Sequence, residues 1–100
     1  MSVGPEAHQA LGLTITPNPM VSHAAISGSF RRNADGQAEL TITDVQGRRV
    51  LSRSLPVSRG RASWQWDRTN ATGGRVRPGM YVVKLRHGEE VLQTRIVVRD

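Results

Sequence analysis

Cysteine is absent, and aromatic residues make up only 4% of this 100-residue chain. The first absence excludes disulfides, thiolate metal sites and a cysteine nucleophile, without fixing a compartment. The second leaves a core to be built mainly from Val, Leu, Ile and Ala, with Trp64 and Trp66 as its largest members. Lysine is almost missing too: Lys84 is the single one among 14 basic residues, and the rest are arginine. No apolar run approaches the ~20 residues of a membrane-spanning helix, and the N-terminus lacks the apolar centre of a signal peptide. Membrane insertion is therefore not expected. Nor is there a stretch of helical period, an internal repeat or a low-complexity tract.

What remains is alternation. From Leu11 onward apolar and polar residues alternate with period 2, interrupted by Gly, Pro, Asn and Asp, the pattern of half-buried antiparallel strands. Leu11, Leu13 and Ile15 form the first run, stopped at Pro17, Asn18 and Pro19, since proline cannot donate to a ladder. Ala24, Ile26, Gly28 and Phe30 form the second. A polar connection ending at Asp35 and Gly36 leads to the clearest strand, in which Ala38, Leu40 and Ile42 face the core between Glu39, Thr41 and Thr43. Asp44 to Gly47 makes a turn, Val50 to about Pro56 a fourth strand, and Arg59 with Gly60 another turn. Ala62, Trp64 and Trp66 share one face of a fifth strand, which predicts both indoles at the centre of the core. Asp67 to Pro78 is the longest irregular stretch and is expected to cross between sheets. Tyr81, Val83 and Leu85 line a sixth strand, His87 and Gly88 a tight turn, and Val91 to Val98 a seventh. Seven short strands at such spacing predict an all-β fold, a single seven-stranded immunoglobulin-like antiparallel β-sandwich. Residues 1–10 read as linker or leader and residues 11–100 as one domain.

The chemistry-bearing residues form no catalytic constellation. Asp35, Asp44 and Asp67 fall at turns, and Glu89 and Glu90 flank the last one, so solvated turn residues are expected rather than a carboxylate pair. His8, His23 and His87 are scattered, with no spacing that puts two imidazoles on one strand face. Asp67, Asn70, Thr72 and Gly73 offer oxygen ligands but lack the alternating acids and closing Glu of an EF-hand. No serine lies in a nucleophile elbow, and Gly73 and Gly74 precede no helix that could cradle phosphate. No enzyme, metal or cofactor is expected. The net charge of +6 invites a nucleic-acid reading, and Arg59, Arg61 and Arg68 do lie near the tryptophans. However, the arginines are spread in ones and twos, as on solvated strand faces, so no nucleic-acid partner is expected.

Three clusters, in order along the chain, resemble a known family. Pro17, Asn18 and Pro19 follow an apolar strand; Leu40, Ile42, Asp44, Gly47, Arg48 and Val50 form a strand, Asp-x-x-Gly-Arg-x-Val element; Pro78, Gly79, Tyr81, Val83 and Leu85 are followed by Ile96, Val97 and Val98. Together they resemble the type A C-terminal sorting domain of the type IX (Por) secretion system of Bacteroidetes-type bacteria. Trp66, Asp67, Gly74, Val76, Gly79 and Tyr81 also resemble the related immunoglobulin-like domain of flagellar hook-capping proteins. The resemblance implies a tag at the end of a secreted or cell-surface precursor, fused to an N-terminal cargo. It further implies recognition by the outer-membrane translocon after passage through the periplasm, and removal by a sortase-like protease. Two departures stand out: Ile15 and Thr16 precede Pro17 where the family often has an aromatic, and Arg95 stands where lysines are common.

Two roles stay open for each cluster. Pro17 to Pro19, Gly47, Arg48 and Tyr81 can serve recognition, or can simply end a strand, shape a hairpin and bond a core hydroxyl to backbone. Thr94 to Val98, read as a terminal edge strand, is the expected translocon contact by strand addition. An exposed edge also favours a weak homodimer. The alternative reading is an accessory or spacer module of a multidomain secreted bacterial enzyme.

Overall fold

The computed structural model describes residues 12–100; the expected leader, and Leu11 as the first strand residue, lie outside them. Seven strands follow in order: β1 (Leu13–Thr16), β2 (Ala24–Ser29), β3 (Gly36–Asp44), β4 (Arg49–Val57), β5 (Arg61–Trp66), β6 (Gly79–His87) and β7 (Glu90–Val98). They form two antiparallel sheets, β1-β2-β5 and β4-β3-β6-β7. The sandwich is the predicted one, with the fourth strand beside the third rather than beside the fifth as in constant-type immunoglobulin domains.

The alternation in sequence becomes two facing apolar layers. Leu13, Ile15, Ala24, Ile26, Ala62 and Trp66 come from the smaller sheet; Ala38, Leu40, Ile42, Leu51, Leu55, Tyr81, Val83, Leu85, Leu92, Ile96 and Val98 come from the larger, all buried. Each fully buried Leu, Ile or Val is worth ~1.5–3 kcal/mol over its exposed state. A one-residue slip would put two such side chains into water in β3 or in β6, together with Ala38 or Tyr81, and that cost fixes the register. Gly28 allows close approach of the sheets: a Cβ there would lie 2.3 Å from Leu85 Cδ2.

Turn chemistry sets the connections. Between β3 and β4 the Gly47 N–H donates to the Asp44 carbonyl (3.0 Å) and the Asp44 N–H to the Arg48 carbonyl (2.9 Å). Gly47 itself sits at φ +85°, a three-residue hairpin loop closed by a left-handed glycine. Just beyond it the register jumps, Ile42 pairing Leu51 but Thr43 pairing Arg49, which leaves Val50 as a bulge. Arg59 (φ 54°) and Gly60 (φ 77°) turn β4 into β5, with Ser58 and Arg61 exchanging backbone bonds across them. That tight turn joins strands of different sheets, so the sandwich is nearly closed along this seam. Gly88 (φ 62°) turns β6 into β7.

Two expectations need correction. Trp66 is fully buried, but Trp64 is only half-buried, with the Arg53 guanidinium 5.6 Å from its ring centre. Both Trp64 and Arg53 take inward-facing slots, but at the seam where the two sheets part, and the arginine closes the gap over the ring. Phe30 is buried as expected yet lies just past the end of β2, where its N–H donates to the Gly60 carbonyl (2.7 Å) instead of a strand partner.

Candidate recognition site

The topology brings the three sequence clusters to one end of the sandwich. In the larger sheet Asp44 pairs Tyr81 and Tyr81 pairs Ile96, so β3 ends, β6 begins and β7 ends side by side. The segment 17–23 leaves β1 at the same end, and the loop 67–78 arrives there from β5.

Segment 17–20 does more than end β1: it crosses to the other sheet and lies along β7. The Met20 N–H donates to the Val97 carbonyl (2.8 Å) and the Arg99 N–H to the Met20 carbonyl (2.9 Å), with Met20 itself fully buried. Asn18 completes the strap with its side chain. Its Nδ2 donates to the Arg95 carbonyl (3.0 Å) and its Oδ1 accepts from the Val97 N–H (3.0 Å), so one carboxamide copies a strand's donor and acceptor pair. The outer edge of β7 from Arg95 to Arg99 is therefore already occupied, and the expected free edge at Thr94–Val98 is not free. By the same alternation Val91 and Gln93 turn their backbone groups to that edge, beyond which the sheet has no further strand among the described residues.

At the β3–β4 turn, the Asp44 carboxylate accepts from the Arg48 N–H (3.0 Å), the Gln46 N–H (2.9 Å) and Arg48 Nε (3.0 Å). The Arg48 backbone N–H foremost, with the Gln46 N–H and the Arg48 guanidinium behind it, holds the Asp44 carboxyl below its ordinary pKa against a smaller opposing effect of desolvation. The bulge at Val50 turns its carbonyl outward to accept from the Ala71 N–H (3.0 Å), which docks the 67–78 loop on the edge of β4. The loop holds its own shape because Asn70 Oδ1 accepts from the Thr72 N–H, the Thr72 hydroxyl and the Gly74 N–H. Its oxygen atoms thus serve the turn. Between loop and hairpin lies a cleft of about 640 Å³ lined by Asp44, Arg48, Arg49, Arg75, Arg77 and Tyr81, among others.

Tyr81 is buried, its ring edge-on to Trp66 at 6.1 Å between centroids, and its hydroxyl donates to the Arg77 carbonyl (2.6 Å). Trp66 Nε1 donates to the Thr69 carbonyl (2.8 Å). These two aromatics tie both ends of the long loop to the core.

The sequence-derived residues divide by exposure. Tyr81, Val83, Leu85, Ile96 and Val98 are buried and Val50 half-buried, so a partner cannot touch the five without unfolding the domain. Pro17, Asn18, Pro19, Gly47, Arg48, Gly79, Arg95 and Val97 are exposed, with Asp44 between these classes. Beside them the structure adds Met80 and Val45, apolar and exposed; Met80 pairs Val97 across β6 and β7 on the outer face.

Sequence reasoning missed Arg68. Its side chain is 2% exposed and its backbone φ is +68°, a conformation costing an L-residue about 1–2 kcal/mol. Nε donates to the Val76 carbonyl (3.1 Å), Nη1 to the carbonyls of Val21 (2.8 Å) and Arg99 (3.2 Å), and Nη2 to Asp100 Oδ1 (3.2 Å). Nothing in the pattern Trp-Asp-Arg-Thr-Asn marks an arginine as buried, because its carbonyl partners lie at the far end of its own loop and in two other segments.

The protein is thus an immunoglobulin-like β-sandwich whose distinctive exposed side chains gather at one end. The chain belongs to the secretion system C-terminal sorting domain family, whose sequence pattern it matches over residues 14–99. Its place is therefore among the sorting signals of type IX secretion, and a domain of this kind implies a secreted or cell-surface cargo. No curated protein matches it.

Solved structures share the fold. The dimeric latent PorU of Porphyromonas gingivalis superposes with a TM-score of 0.67 at 21% identity, covering 87% of this chain and 9% of that one. PorZ, an essential surface component of the type IX secretion system of the same organism, gives 0.64 at 20% identity over 97% of this chain and 13% of that one. The hook-capping protein FlgD of Xanthomonas campestris gives 0.61 at 22% identity over 89% of this chain and 63% of that one. The chain thus spans about a tenth of the length of the PorU and PorZ chains.

Proposed function

We propose that this chain is a non-catalytic C-terminal signal that takes a fused N-terminal cargo from the periplasm through the type IX translocon to the cell surface, where a sortase-like protease removes it. Residues 11–100 act as the signal and residues 1–10 as its linker. The observation that carries this reading is the convergence of Pro17–Pro19, Asp44–Arg48, Gly79 and Arg95–Val98 on one end of a self-folding domain. Family pattern residues that serve only folding would be spread through the core; here the exposed ones share a surface with Met80 and Val45. We assign the translocon contact to this end. A partner there meets the strap and the outer face of β6 and β7, because Asn18 and Met20 already hold the last strand's outer edge.

The test is a fusion of residues 1–100 to the C-terminus of an exported fluorescent reporter, expressed in a host with an intact type IX system and in a translocon-null strain. Surface delivery in the intact host alone is expected. A folded fusion retained in the periplasm of both, while the host's own sorting domain delivers the same reporter, would turn the reading to an accessory module. Truncating Thr94–Asp100 is a poor substitute, since it removes Ile96 and Val98 from the core.

A further inference from the structure

The 67–78 loop, the 17–21 strap and the last residues of the chain meet at a single side chain. Arg68 is buried, is held in a left-handed backbone conformation that arginine rarely adopts, and spends its guanidinium on carbonyls of Val76, Val21 and Arg99. Its one ionic partner among the described residues, Asp100, has a side chain 84% exposed, so the charge is not buried for the sake of that ion pair. A planar fork of fixed donors can serve three strands of backbone at set angles, which an ammonium cannot. Removing the fork would leave the carbonyls of Val76, Val21 and Arg99 without this donor, so the three stretches are held to one another through it.

We propose that Arg68 is a positioning residue for recognition, a latch that seats the strap and the end of β7 against one another so that Asn18, Arg95 and Val97 are presented in one fixed arrangement. The proposal rests on the reading of this end as the recognition surface. Without the latch, the polar contacts left between strap and β7 are those of Asn18 and the two Met20 backbone bonds, beside the buried Met20 side chain. Arg68→Lys is the informative variant, because it keeps the charge and the strained backbone and removes only the fork.

Amide exchange on the purified chain is measured first. In the wild type the N–H groups of Met20, Val97 and Arg99 should exchange as slowly as those of central strand β3. In Arg68→Lys they should exchange at least about tenfold faster while β3 is unchanged, the signature of a local opening. Surface delivery of the reporter fusion should then fall well below that of a core variant, such as Ile26→Val, chosen to have the same melting temperature. Equal delivery by the two variants overturns the latch. If Arg68→Lys does not fold, the wild-type exchange decides: strap amides much faster than β3 overturn it. A wild-type fusion that is never delivered defeats the sorting reading itself, and with it this role for Arg68, whatever the exchange shows.

Discussion

Two tryptophans two positions apart, on the same face of β5, end in different surroundings, and the difference is measurable. Trp66 is sealed between Tyr81 and the long loop; Trp64 lies at the seam under Arg53. Trp64→Phe should leave a blue-shifted emission that iodide does not quench, and Trp66→Phe a red-shifted, quenchable one. Trp66→Ala should cost about 3–5 kcal/mol of unfolding free energy through the cavity it opens, and Trp64→Ala less. Asp44 offers a test in pH. Its folded pKa lies below the ordinary 3.8, so folding favours the charged form. The carboxylate's stabilising contribution is full above that ordinary value and is lost as pH falls through the folded pKa. Urea titrations of wild type and Asp44→Asn should therefore diverge near neutrality and converge in acid. At this scale the sequence told which residues face inward, since period 2 needs only local information. It did not tell that Arg53 closes the seam or that Arg68 is buried, because both depend on groups far along the chain.

Among elements, two glycines act for opposite reasons. Gly47 needs its positive φ and has open space around it; Gly28 has neighbours at its face. Gly47→Ala should cost about 1 kcal/mol from backbone strain alone, and Gly47→Asn less, as asparagine tolerates that region. Gly28→Ala should cost about 1–3 kcal/mol, because Leu85 must leave its rotamer or the sheets must part. Urea unfolding of the three variants separates these causes: only in the Gly28 variant should Leu85→Ala recover part of the loss in a double-mutant cycle. Strand existence and the turns at Gly47, Gly60 and Gly88 were legible for this reason, that each is set by a few adjacent residues. Strand neighbours across the two sheets were not. Pro17 to Pro19 reads as a stop in sequence, yet in space it is the start of a strap on β7, and only the pairing of Met20 with Val98 discloses it.

For the molecule as a whole, the question is whether one end is read while the rest merely folds. Val91 and Val97 make a matched pair for asking it. Both are on β7, both point to the outer face of the larger sheet, and both are partly exposed, at 48% and 37%. Val97 lies beside Met80 at the end where the strap crosses, whereas Val91 lies beside Arg86 at the opposite end. An aspartate at either position enters water on an outer face, so each variant should stay within roughly 1 kcal/mol of wild-type stability. A negative charge set against an apolar contact, by contrast, must be desolvated when a partner docks, a cost of several kcal/mol unless a cation meets it. Val97→Asp should therefore lose most surface delivery in the reporter fusion, with its melting temperature nearly unchanged, while Val91→Asp is delivered like wild type. Loss in both variants would mean that the whole outer face is read. Loss in neither would place the reader on the strap or the cleft instead, where Asn18→Ala and Arg48→Ala become the variants that must fail.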